Sequence, residues 1–142
     1  MDLLINKETD YALRIFRVLA EGGRMSVPEI CKLGQMPTGF THKIVQKLTA
    51  AGYLDVTRGS RGGCLVIADL NTLTLYDVME AIGENGIISA CVNPEYQCTW
   101  RAKNHCICTV NCNMIALQNA IDELLKQHTV ASLVGNHHAE NE

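Results

Sequence analysis

No run of apolar residues in this chain approaches the roughly 18 needed to cross a bilayer, which excludes an ordinary membrane-spanning helix. The opening residues, Met1-Asp2-Leu3-Leu4-Ile5-Asn6-Lys7, lack a basic stretch followed by an apolar core. No secretory signal is therefore expected, and the cytoplasm is the expected compartment. The chain also lacks a Ser/His/Asp set, carboxylates paired for acid–base work and a phosphate-binding glycine loop. Hydrolysis and phosphoryl transfer find no support; neither an enzyme nor a small-molecule substrate is expected. Positive charge is scarce as well: 12 Lys/Arg against 15 Asp/Glu leave a formal net charge of −3. Spread evenly, that balance would argue against a nucleic-acid partner.

The charge is not spread evenly. Residues 1–64 hold nine Lys/Arg and six Asp/Glu, a balance of +3, whereas residues 65–142 hold three and nine, a balance of −6. Such asymmetry suggests one half facing nucleic acid and another with a different task. Hydrophobic residues at 47% and charged residues at 19% exclude wholesale disorder. A length of 142 residues leaves room for one compact domain and an appendage.

Periodicity predicts a helix over 7–20, with Asn6 as cap, Tyr11, Ala12, Ile15, Phe16 and Leu19 at helical spacing, and Gly22-Gly23 as the stop. Ser26 and Glu29 form the pattern of a capping box for a second, short helix that carries Ile30, Cys31 and Leu33 and closes at Gly34. Pro37 opens a third. Phe40, Ile44, Val45 and Leu48 make its inner face, and Thr38, Thr41, His42, Lys43, Gln46 and Lys47 its outer face. Two short helices joined by a glycine-containing turn, the second polar and basic outside, have the form of a helix-turn-helix; a plain helical hairpin with a solvated face has the same pattern. Residues 53–57 and 64–67 then read as strands flanking Arg58-Gly59-Ser60-Arg61-Gly62-Gly63, a hairpin whose glycines allow close approach and whose arginines suit phosphates or a narrow minor groove. Helix, helix-turn-helix and basic hairpin in this order describe a winged helix-turn-helix. The candidate DNA-binding residues are Thr38, Gly39, Thr41, His42, Lys43, Arg58, Ser60, Arg61 and Gly62, and the partner is double-stranded operator DNA.

A further helix starts at Thr74, with Asp77 completing a capping box and Leu73 and Val78 placed as a hydrophobic staple. A longer helix is expected from about Asn113 to His128. Its wide apolar face (Met114, Ile115, Leu117, Ile121, Leu124 and Leu125) needs a surface to bury against, and a second copy of the chain is the economical one. The fold class is thus mainly α with a small β-hairpin wing. The organisation expected is a DNA-binding unit over 1–83, a cysteine-rich loop over 84–112, a dimerisation helix over 113–134 and a frayed tail over 135–142 that includes His137 and His138.

Seven cysteines in a reducing compartment point to metal or redox chemistry more than to disulfides. Five of them, Cys91, Cys98, Cys106, Cys108 and Cys112, fall in the one loop. Thiolates there suit a soft metal or a cluster, structural zinc, or a thiol–disulfide switch. Cys112, placed just before the expected helix, would gain thiolate character from the dipole. His105 is a reserve ligand. Cys31 and Cys64 read as core residues.

Four segments together resemble the Rrf2 (Rrf-type) family of winged helix-turn-helix transcriptional regulators: residues 9–14 (Thr-Asp-Tyr-Ala-Leu-Arg), 47–54 (Lys-Leu-Thr-Ala-Ala-Gly-Tyr-Leu), 58–63 and 75–82 (Leu-Tyr-Asp-Val-Met-Glu-Ala-Ile). The resemblance reaches to about Leu133. It implies a homodimeric transcription factor, a repressor or an activator, whose DNA affinity follows an iron–sulfur cluster, two-iron or four-iron, that senses redox, nitric oxide or iron–sulfur status. It further implies three cysteine ligands just before the dimerisation helix and, as in some members, a carboxylate of the other subunit at the position of Asp10, which as a first-turn residue can equally be solvated or ion-paired. Cys106 and Cys112 match the last two cysteines of that pattern. Cys91 lies where the first is expected, but fourteen residues separate it from Cys106, and Cys98 lies between them, so either can be the first ligand. Cys108 is extra to the pattern. The metal set is accordingly Cys91, Cys98, Cys106, Cys112 and Asp10, with zinc, or metal-free repression on the same fold, as the alternatives.

Overall fold

The structure, a computed structural model, describes residues 4–84 and 86–135. Helix α1 (Lys7–Gly22) starts where the Asn6 side chain accepts the amides of Glu8 and Thr9, pairing donors that a helix start leaves free. Helix α2 (Val27–Gly34) follows Ser26, whose hydroxyl accepts the Glu29 amide at 3.3 Å. It closes one residue later than expected, at Gln35, which takes a left-handed conformation with φ 51°. Helix α3 (Thr38–Ala50) begins after Pro37, which serves as its cap residue rather than its first turn.

Strands β1 (Leu54–Thr57) and β2 (Gly63–Val66) pair antiparallel, with Leu54 opposite Val66 and Thr57 opposite Gly63. Met25 joins the sheet edge through a two-way backbone pairing with Cys64. Gly63 makes this junction possible: its φ is +135°, and a Cβ there would stand 2.4 Å from the Met25 carbonyl oxygen.

Helix α4 (Leu75–Ile82) has the full capping box. Thr74 accepts the Asp77 amide, Asp77 accepts the Thr74 amide, and Gly83 closes the helix in the left-handed region. The loop then carries one 3-10 turn (Ala90–Val92) and a short helix, α5 (Thr99–Asn104). The helix expected over 113–134 is in fact two. Helix α6 (Thr109–Lys126) starts earlier than expected, and α7 (Val130–Val134) is separate. Between them the Leu75 amide bonds the His128 carbonyl and the Val130 amide bonds the Leu73 carbonyl, both at 2.8 Å, which draws the chain back onto the first domain. Val130 is fully buried there. The segment expected to dimerise thus ends inside the core formed with α1, α2, α3 and α4. His137 and His138, and the tail from 136 onward, lie outside the described residues.

The main core joins Ile15 and Phe16 of α1, Ile30 of α2, Ile44 and Leu48 of α3, Leu54 of β1, Val78 of α4 and Val130 of α7. Each buried side chain of this size contributes about 1.5–3 kcal/mol relative to exposure. Cys31 and Cys64 are buried with them as expected, and burial raises the Cys64 thiol pKa despite the opposing charge of Arg24. A smaller cluster of Leu75, Met79 and Leu125, flanked by Ile121 and Tyr76, fastens α6 to α4. No helix among the described residues is long and apolar enough to cross a membrane.

Candidate nucleic-acid interface and thiol cavity

Helix α3 is anchored by Ile44, Val45 and Leu48, all buried, so its opposite face looks outward. Thr38, Gly39, His42, Lys43 and Gln46 are exposed on that helix. Thr41 is not. It is fully buried, and its hydroxyl donates to the Pro37 carbonyl at 2.8 Å, one turn back. Its expected place among base-reading residues is therefore corrected: it locks the first turn of the helix. Phe40, expected inside, is at the margin, edge-on to Tyr11 with ring centroids 5.5 Å apart.

Two of the lysines are engaged. Lys47 donates to Glu8 at 2.8 Å and to the Ile82 carbonyl at 2.9 Å, and Lys43 reaches Glu8 at 3.3 Å. The Lys47 hydrogen bond, with help from Lys43, holds the Glu8 carboxyl below its usual pKa. Lys43 keeps an outward-facing amino group, its side chain 57% exposed, whereas Lys47 is a tie between α3, α1 and α4.

The wing tip presents Arg58, Ser60 and Arg61, all exposed. Among the described residues neither arginine is in an ion pair. Gly62 has a steric reason: a Cβ there would lie 2.3 Å from the Thr57 carbonyl oxygen, closing the turn on itself. Arg24, which the sequence did not single out, sets the hairpin's root. Its guanidinium pairs with Asp55 at 2.8 Å and donates to the Thr57 hydroxyl and the Gly63 carbonyl. These partners lie more than thirty positions away, and no local pattern signals them.

The cysteine segment forms a second feature. Cys98, Cys106, Cys108 and Cys112 line one open cavity of about 660 Å³, together with Arg101, His105 and Asn111. All four thiols are free. Cys108, the thiol extra to the family pattern, caps α6: its sulfur accepts the Asn111 amide at 3.4 Å. The place at the helix start expected for Cys112 is thus held by Cys108, and Cys112 lies one turn inside. Cys91 is outside the cavity lining, hydrogen-bonded to Ser89 Oγ at 3.3 Å. That hydroxyl, and next the Asn111 amide group, favour its thiolate and lower its pKa. Asp10 is elsewhere, paired with Arg14 at 3.2 Å beside Leu133 and Val134.

Helix α6 holds this loop through buried polar residues. Asn111 donates to the Cys91 carbonyl at 2.7 Å; Gln118 accepts the Ile88 amide and donates to the Gly86 carbonyl. Val110, Met114, Leu117, Ile121 and Leu124 follow one another at alternating spacings of four and three along α6, the pattern of a coiled-coil seam. Val110 is 60% exposed, Leu117 50% and Leu124 55%.

Comparison with known proteins agrees with this architecture. The Rrf2 family model, described as an iron-dependent transcriptional regulator, matches residues 5–136. Protein aau3 of Rhizobium meliloti (strain 1021) is 29% identical over 133 residues, which cover 92% of this chain and 84% of that protein. Among solved structures, the global cysteine regulator CymR of B. subtilis superposes with a TM-score of 0.67 at 22% identity, covering 94% of this chain and 97% of that one. IscR of T. potens gives a TM-score of 0.67 at 15% identity, covering 94% and 88%. At these identities the structural likeness is one of fold.

Proposed function

The chain belongs to the Rrf2 family of transcriptional regulators, and from that premise we propose that it is a homodimeric operator-binding sensor whose thiol cavity reports redox, nitric oxide or iron–sulfur status to the DNA-reading helix. The observation that carries this reading is the gathering of Cys98, Cys106, Cys108 and Cys112 around one cavity at the start of α6. Four soft donors of one kind suit an iron–sulfur cluster, whose irons thiolates would hold. Among the described residues no three donors converge closely enough for a single metal ion. An iron–sulfur cluster is the group proposed here, with tetrahedral zinc, which draws on the same thiolates, as the alternative. Such a group, when bound, would supply a redox- and nitric-oxide-reactive centre. Cys98 is the better candidate for first ligand than Cys91, and Asp10 would have to come from the partner subunit.

The protein's own residues form a contiguous route from cavity to DNA face. Asn111 and Gln118 tie the loop to α6, Leu125 packs α6 on α4, and the Ile82 carbonyl at the end of α4 receives Lys47 of α3. Contiguity permits coupling; unequal DNA affinity of the two states would establish it. The exposed α6 seam is covered in this reading by the same seam of a second subunit.

Anaerobic purification followed by visible absorbance, iron and sulfide analysis, and duplex affinity before and after cluster removal tests the proposal. Bound iron and sulfide with a change in affinity support it; iron-free protein whose affinity ignores oxidant overturns it. A second reading, a disulfide switch, is favoured by the four free thiols and by the likeness to a cysteine regulator. It predicts iron-free protein whose affinity changes with oxidant and recovers with reductant.

A further inference from the structure

Between α3, the start of α2 and the root of the wing lies a hollow of about 570 Å³. Its floor is apolar, made by Val27, Val45, Ala50 and Val56. Val56 is a β-branched side chain on the two-stranded ribbon that is left 43% exposed among the described residues. His42, Gln46 and Arg58 stand at the edges, and no carboxylate lines the hollow. Its two long walls are the recognition helix and the wing, so it is continuous with the DNA face, and DNA is the partner that would cover it.

Phosphates gain nothing from an apolar floor. In the major groove the one apolar group on a base edge is the C5 methyl of thymine, while glutamine pairs two-fold with the adenine edge. Gln46 and the valines thus offer both halves of an A·T pair what each half presents. We propose that this hollow seats thymine methyl groups of A·T steps in the operator, with Val56 and Val27 as specificity-determining residues. The volume exceeds one methyl group, so neighbouring thymines and the edges of their sugars share it. The proposal rests on the operator-binding reading above, with α3 lying in the major groove.

The test starts from duplexes selected from random sequence by the full-length protein. Each selected thymine is replaced in turn by deoxyuridine, which deletes only the methyl group. At the positions facing the hollow the replacement weakens binding about fourfold, the worth of one buried methyl. Val56→Ser and Val27→Ser each shrink that difference toward unity while affinity for random duplex stays at the parental value, which also shows that the variants are folded. Equal affinity for thymine and deoxyuridine at every position, or a difference that persists in both variants, overturns the inference and leaves the DNA-reading role standing. Failure to select any preferred duplex overturns both.

Discussion

Glu8 shows what single residues do here that neighbouring sequence does not reveal. It sits in the first turn of α1, where an acid complements the helix start, yet its partners are Lys47 and Lys43 on α3. Because the Lys47 hydrogen bond lowers its folded pKa, its contribution to stability is full above the ordinary glutamate value of about 4.3 and is lost as pH falls through the lowered folded value. Glu8→Gln should therefore unfold more easily at neutral pH and show a flatter acid limb in thermal melts; parallel pH profiles would discard the tie. Arg61, free at the wing tip, should act otherwise. Arg61→Ala should leave the melting temperature alone and flatten the log-affinity versus log-salt slope by about one unit, the signature of one lost phosphate contact. A parental slope would remove it from the interface. The two cases also mark the limit of sequence at this scale. Helical spacing placed His42 outside and Leu48 inside, but it put Thr41 outside too, because a helical wheel cannot show where its neighbours' packing ends. Arg24 and Glu8 were silent for a related reason: their partners are distant in sequence and close only after folding.

At the scale of elements, caps and glycines carried most of the information. Asn6, Ser26 and Thr74 start helices α1, α2 and α4 as their side chains require. The wing follows from its glycines and flanking strands. The C-terminal helix starts one turn before the expected Asn113, and the segment expected to run on to 134 breaks after Lys126. Its start hinged on a cysteine acting as cap, an uncommon choice, and its stop on backbone bonds to Leu73 and Leu75 that no local pattern announces. The structure also sharpens the test of dimerisation. Ile121 packs partly against its own subunit, so a charge there would confound folding with assembly. Leu117 is half exposed within the seam and is the cleaner site. Leu117→Glu should yield folded monomers, because the charge would be buried unpaired only in the dimer. A dimer unchanged in sedimentation would place the contact elsewhere.

At the scale of the whole molecule, the arrangement is a winged helix-turn-helix and a thiol cavity joined by α4 and α6, and the sequence already separated the two by charge. What it left open was which cysteines act together, since the family resemblance allowed Cys91 or Cys98 and set Cys108 aside. Position in the fold divides them differently: Cys98, Cys106, Cys108 and Cys112 share the cavity, and Cys91 stands apart. Alanine at Cys106 or Cys112 should abolish visible absorbance and bound sulfide in anaerobically prepared protein. Cys98→Ala should do the same, whereas Cys91→Ala should retain most of both. Cys108→Ser is the informative intermediate. Serine keeps a side-chain acceptor for the Asn111 amide, so the cap survives while the soft donor is lost. Loss of the cluster with α6 intact by circular dichroism would make Cys108 a ligand; retention would leave it a helix cap. Asp10→Ala should weaken retention only if the partner subunit's carboxylate supplies a bond, and the loss would then be a faster release of iron rather than a failure to bind it. Full iron and sulfide in Cys112→Ala would remove the cavity from the proposal. A cluster-free variant that binds every duplex as the parent does would show the thiols to be structural, because a bound group shifts an equilibrium only through unequal affinity for its two states.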